Sequence, residues 1–210
     1  MESVVAETIA ILEEKHPALF GKTSVVDLVI GIFFTGVKLS SGHGGVAFTP
    51  AAEIPEAVCC PTSAARMPQA GRLDGRPVSE LIRYALDRNV LKSAIGIAIL
   101  NAVSQSILES NYAPSYSMIK GADGFDLLDI RSNETVALVG AFTPYIRRLK
   151  EMGNDFFIIE KNPRTLKPGE MALFRPESEM TGTMERSDVI IMTGTAIVNH
   201  TIDAILSSSS

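Results

Sequence analysis

The chain has very little sulfur chemistry to offer: its 210 residues include two cysteines, and these are neighbours, Cys59 and Cys60. Two adjacent thiols cannot form a secreted disulfide framework, and without a C-x-x-C pair they are poor ligands for tetrahedral zinc. A basic excess is also missing. The net charge of -5 lacks the cationic footprint that nucleic-acid binders carry, so no nucleic-acid partner is expected. No cationic start leads into an apolar run, and no uninterrupted apolar stretch reaches bilayer length; the expectation is a cytoplasmic protein with no membrane partner. G-x-S-x-G and H-E-x-x-H are both absent, which disfavours an esterase elbow and a zinc protease helix. Gly21, Lys22 and Thr23 end like a phosphate-binding loop, but His16 stands where that motif needs its first glycine.

What remains is a globular composition, 46% hydrophobic and 20% charged. The most informative stretch is ETVALVGAFTPYIRRLKEMGNDFFIIEKN at 134–162. Its β-branched apolar run at 135–139 predicts a strand buried on both faces. Gly140 lets the chain turn, Thr143 is placed to cap a helix that Pro144 begins, and Gly153 with Asn154 ends that helix near Met152. A second strand follows at 156–159. Strand, helix and strand at this spacing predict a crossover unit, with Gly140, Thr143 and Glu160 at the carboxyl edge where open α/β sheets bind ligands.

Elsewhere, Val5, Ile9 and Leu12 recur at helical spacing until Pro17 stops them. Residues 25–38 read as strands, and a further strand at 46–49 follows the SSGHGG turn, giving a small antiparallel meander. Residues 51–76 form a long excursion rich in Pro, Gly and Ala. Helices are expected at 77–88 and 91–108, a linker at 112–132, a helical or irregular piece at 177–185, a third strand at 189–192, and a helix capped near Asn199 that runs to Leu206. The domains are therefore 1–111 (α+β) and 133–210 (α/β with a parallel sheet).

AIGIAILNAVSQ (94–105), VALVGAFTP (136–144), FIIEKNP (157–163) and DVIIMTGTAIVNHTID (188–203) together resemble the "putative heavy-metal chelation" domain family with its usual N-terminal partner domain. The resemblance implies an enolase-N-terminal-like α+β domain, a Rossmann-like C-terminal domain with a three-layer parallel sheet, and a site in the cleft between them. Family members continue with another strand and helix beyond the position of Leu206. Matched motif by motif, the resemblance implies a site of Gly140, Phe142, Thr143, Pro144, Glu160, Asn162, Thr193, Gly194, Thr195 and Asn199, joined by Asn101.

Glu160 is where dinucleotide-binding sheets keep an acid for ribose, yet GAFTP is not G-x-G-x-x-G, and Phe142 and Pro144 fill the space a pyrophosphate needs. A methyl donor such as S-adenosylmethionine demands less phosphate room. The bland alternative has Glu160 capping a helix N-terminus. Thr193, Gly194, Thr195 and Asn199 present hydroxyl, amide and backbone donors suited to an anion, although ordinary capping accounts for Asn199 alone.

Cys59 and Cys60 could hold a thiophilic ion, with His43 as a glycine-flanked ligand and Glu53 and Glu56 as oxygen donors; burial of the thiols and solvation of His43 are the plainer readings. Arg66, Arg72 and Arg76 punctuate the long loop and could grip an anion. The expected activity is the binding or processing of a small anionic ligand, such as a heavy-metal chelate or metal-linked metabolite, with Glu160 as ligand or base. A metallochaperone built on Cys59, Cys60 and His43 is the alternative, and a nucleotide or S-adenosylmethionine enzyme the third. The cofactor expectation is a heavy-metal ion, the partner a small molecule or metal, and a homo-oligomer is compatible with both.

Overall fold

The computed structural model describes residues 3–50, 68–69, 71–110 and 116–208. The chain divides into two compact units, Met1–Ser115 with Gly194–Asp203, and Tyr116–Thr193 with Ala204–Ser210. The segment just after the strand at 189–192 thus belongs to the first unit. Cys59 and Cys60, with Glu53, Glu56 and Arg66, lie outside the described residues.

In the first unit, α1 (Val4–Lys15) buries Val5 and Ile9 and passes through His16 into the short α2 (Pro17–Lys22). Strands β1 (Val25–Ile30), β2 (Phe34–Leu39) and β3 (Gly44–Phe48) form an antiparallel sheet in that order. The helix expected at 77–88 is an α-helical turn, α3 (Val78–Leu81), that tightens into a 3-10 helix at Ile82–Leu86.

The centre of this unit is α4 (Val90–Glu109), whose start is capped by Asn89 accepting from the Leu91 and Lys92 N–H groups. Its small residues exist for close approach. A Cβ at Gly96 would overlap the Ala85 backbone, and one at Gly45 on β3 would overlap the Ala98 carbonyl. Among the described residues α4 is the only helix long and apolar enough to cross a membrane, which qualifies the expectation of no such segment; 67% of its apolar window is buried inside the structure.

The second unit carries β4 (Val136–Val139), α5 (Thr143–Met152), β5 (Phe156–Ile159), β6 (Phe174–Arg175), α6 (Met180–Met184) and β7 (Val189–Met192). Its four strands are all parallel and ordered β6-β5-β4-β7. Numbered within this sheet the order is 3-2-1-4, the arrangement of doubly wound sheets, in which the crevice opens between strands 1 and 4. Val136, Leu138, Phe156, Ile158 and Ile191 pack with Ile146 and Leu149 of α5.

Gly153 ends α5 at φ 78 while its N–H donates to the Leu149 carbonyl, the left-handed stop expected there. Residues 116–132, expected as linker, contribute Phe125 and Ile130 to this core. They are structural parts of the second unit.

The helix expected to be capped near Asn199 and to run to Leu206 is α8 (Ile202–Ser208), and a separate turn, α7 (Thr195–Val198), precedes it. The break is at His200, whose φ is 60. His200 Nε2 lies 2.9 Å from the Asp87 carbonyl oxygen, a long-range tie that fixes the break within the first unit.

Candidate functional site

The carboxyl ends of β4, β5 and β7 place Gly140, Glu160 and Thr193 together on one edge of the parallel sheet. The ladder runs up to that edge: Gly140 N–H donates to the Ile159 carbonyl (2.9 Å) and Thr193 N–H to that of Val139 (3.0 Å). There the chain turns sharply. Gly140 has φ 100, and a Cβ on it would lie 2.8 Å from Thr193 Cγ2, so glycine is required both by the backbone and by the neighbour.

Glu160 works as a clamp. One carboxylate oxygen accepts from Ala141 N–H (2.9 Å), and the other accepts from Lys161 (2.8 Å) and Asn162 (3.1 Å). Three of roughly four lone-pair positions are thereby used on backbone donors, which ties the β4–α5 loop to the loop after β5. Such a carboxylate is an organiser of two loops.

Helix α5 begins one residue earlier than expected. Phe142 is the N-cap, Thr143 and Pro144 are the first two helical residues, and no side chain caps the start. Thr143 is therefore not the cap. Its first-turn N–H groups and the positive end of the helix dipole face the same edge as Gly140 and Thr193.

Half-exposed Phe142 leans on Tyr145, with ring centroids 5.0 Å apart, and Tyr145 leans on Phe125 at 4.9 Å. The Tyr145 hydroxyl donates to Asp123 (2.9 Å), which also accepts from Phe125 N–H. Those two donors, the backbone one foremost, hold the Asp123 carboxyl below its ordinary range, and Asp123 in turn raises the Tyr145 phenol. The result is an aromatic wall at the mouth of the loop. Sequence reasoning missed Tyr145 and Asp123 because they are 22 residues apart and neither belongs to a motif.

Asn162 accepts from Arg164 N–H (3.1 Å) and so caps the 3-10 turn Pro163–Thr165. The remaining expected site residues belong to the first unit. Asn101 donates its amide to the Val46 carbonyl (2.8 Å), fastening α4 to β3. Gly194 and Thr195 open α7, whose carbonyls at Gly194 and Thr195 take the N–H groups of Ile197 and Asn199. The Asn199 amide fits between the Thr195 and Ala196 carbonyls (3.2 Å each) and the Thr201 hydroxyl (2.8 Å), with its nitrogen toward the carbonyls. Its visible task is to close the helix break.

His43 sits between Ser41 Oγ (3.0 Å, to Nδ1) and Glu109 Oε2 (3.2 Å, to Nε2). No group of three or more His, Cys, Asp or Glu side chains suited to a metal ion occurs among the described residues. Arg76 is engaged by Glu80 and Gln69.

With this geometry in view, two family models match the chain, over residues 13–104 and 123–210, and both are described as "Putative heavy-metal chelation". Each part of the chain thus carries a domain of that description. Two solved structures share its fold. A protein of unknown function from Pyrococcus horikoshii, of the family matched at 123–210, is 23% identical with a TM-score of 0.67, and the alignment covers 96% of this chain and 74% of that one. Another from Desulfitobacterium hafniense is 19% identical with a TM-score of 0.65, over 95% of this chain and 75% of that one. No curated protein matches.

The family description names a metal, and the described donors test it. Glu160 is committed to backbone N–H groups and Asn162 to a cap, so the sheet edge of the second unit offers hydrogen-bond donors and no set of metal ligands. It fits an anion better than a bare cation.

Proposed function

We propose that the protein binds a small anionic ligand at the carboxyl edge of its parallel sheet, with a heavy-metal chelate as the ligand the family description favours. The observation that carries the reading is the uncapped start of α5 at the 3-2-1-4 switch point, beside a glycine turn that brings backbone close to Thr193. Phe142 supplies an apolar wall, and Glu160 keeps the two loops in register without entering the chemistry. Binding of this kind needs no direct bond from protein to metal, because the carboxylates of the chelator carry the charge that the helix recognises.

The test exploits the missing cap. Phe142→Asp puts a carboxylate at the N-cap, where it satisfies the first-turn donors and occupies the anion position. Citrate and nickel citrate are expected to raise the melting temperature of the wild type and to leave that of Phe142→Asp unmoved, while the unliganded variant is destabilised by no more than about 1 kcal/mol. Equal protection of both proteins removes the α5 terminus from the site. A second reading rests on the same family description: Cys59, Cys60 and His43 hold a soft metal directly. Stoichiometric metal by elemental analysis, lost in a Cys59→Ser, Cys60→Ser variant, supports that reading over the first.

A further inference from the structure

The antiparallel sheet has an outer face of the wrong composition for water. Its inner face is set by Thr35, Val37, Leu39 and Ala47, all buried, and by Gly45 against α4. Alternation then puts Phe34, Gly36 and Lys38 of β2 on the outer face, with register partners Phe48, Val46 and Gly44 on β3, and Val29 and Asp27 on β1. An antiparallel sheet with one open face normally carries polar residues there.

Here Val29 and Val46 are each 60% exposed and Phe34 is 61% exposed, and the hairpin tip adds Ile32 at 76% and Phe33 at 69%. At roughly 200 Å² per aromatic side chain and somewhat less per aliphatic, the β1–β2 hairpin offers on the order of 500 Å² of apolar surface, with Val46 of β3 at its flank. A stable interface uses about 800 Å² per partner, rim included.

We propose that this face pairs with a second copy of the chain, about a two-fold axis that runs along the strands between β1 and β2. Two features make the face complementary to itself. Val29 and Gly36 are register partners, so the two-fold lays each Val29 over the notch left by the other copy's Gly36. Asp27 and Lys38 are also register partners, and the same rotation lays each over its opposite charge. The strand direction is kept by this axis, so the tips with Ile32, Phe33 and Phe34 meet at one end. A partner of different sequence would have no reason to match both the notch and the charge order.

Sedimentation of the full chain tests this. The wild type is expected at twice its 22.5 kDa chain mass at micromolar concentration. Asp27→Lys and Lys38→Asp, both at exposed positions, should each weaken self-association at least tenfold with unchanged circular dichroism, and Gly36→Val should do the same by filling the notch. An equimolar mixture of the two charge variants should restore the dimer, because each reversed charge then meets its complement across the axis; a cross-strand effect within one chain cannot do that. A wild type that stays monomeric at tens of micromolar, or charge variants that fail to associate when mixed, overturns the proposal and leaves the face to another partner.

Discussion

Gly140 and Thr193 are fitted to one another: no Cβ can stand on the first without meeting the Cγ2 methyl of the second at 2.8 Å. The contact joins the ends of β4 and the edge strand β7, where the sheet order reverses. Gly140→Ala therefore suffers twice, from the left-handed φ of 100 and from the methyl. Urea denaturation should show a loss of about 1–3 kcal/mol. Adding Thr193→Ser removes the methyl and should recover part of that loss, while the part due to φ remains; full recovery would mean that the backbone carries no strain.

Glu160 gives a prediction about loops. Gln in its place keeps one acceptor oxygen but turns an amide NH₂ toward backbone N–H donors, leaving at least one of Ala141, Lys161 and Asn162 without its partner. Glu160→Gln is expected to cost about 1–3 kcal/mol by thermal or chemical denaturation, and amide exchange at Ala141 should rise. A variant as stable as wild type, with protection at Ala141 intact, would show that the clamp is not what orders the edge.

Glu170 sets an acid limit on the second unit. This buried carboxylate accepts from Lys167 N–H (2.9 Å) and from Lys150 Nζ (3.1 Å). The backbone bond foremost, opposed by burial and assisted by Lys150, holds its carboxyl below the ordinary value of 4.5. A depressed folded-state pKa contributes stability that is fully present above 4.5 and is lost as the pH falls through the lower folded value. The stability gap between wild type and Glu170→Gln should thus be largest near neutrality and shrink once the pH drops below that value. A gap that stays constant from pH 7 to pH 3 would contradict this assignment.

Much of the second unit was legible because its signals are local. The apolar runs at 136–139 and 156–159, the proline near the start of α5 and Gly153 at its end each state their own conformation within a few residues. The errors have physical causes. β6 is two residues long, below any periodicity, and exists because β5 offers it an edge. Residues 116–132 looked like a linker because Phe125 and Ile130 are isolated apolar residues among turn formers; burial against the sheet gives them their role. A helix start near Asn199 is expected from the sequence, but the turn α7 before it and the left-handed His200 between the two depend on a contact with Asp87, 113 residues away.

By itself, the sequence determined the family, the alternation of strands and helices, and which loops reach the carboxyl edge of the parallel sheet. All of these follow from short-range preferences and hydrophobic period. Only the tertiary structure decided what the side chains at that edge do: Glu160 clamps two loops, Asn162 and Asn199 serve their own turns, Asn101 fastens α4 to β3, and the start of α5 is left uncapped. The reason is that a polar side chain's role depends on which donors and acceptors surround it after folding. Partners 19 to 55 residues apart are brought within 3 Å by the packing of the apolar core, and the polar pattern itself does not encode them.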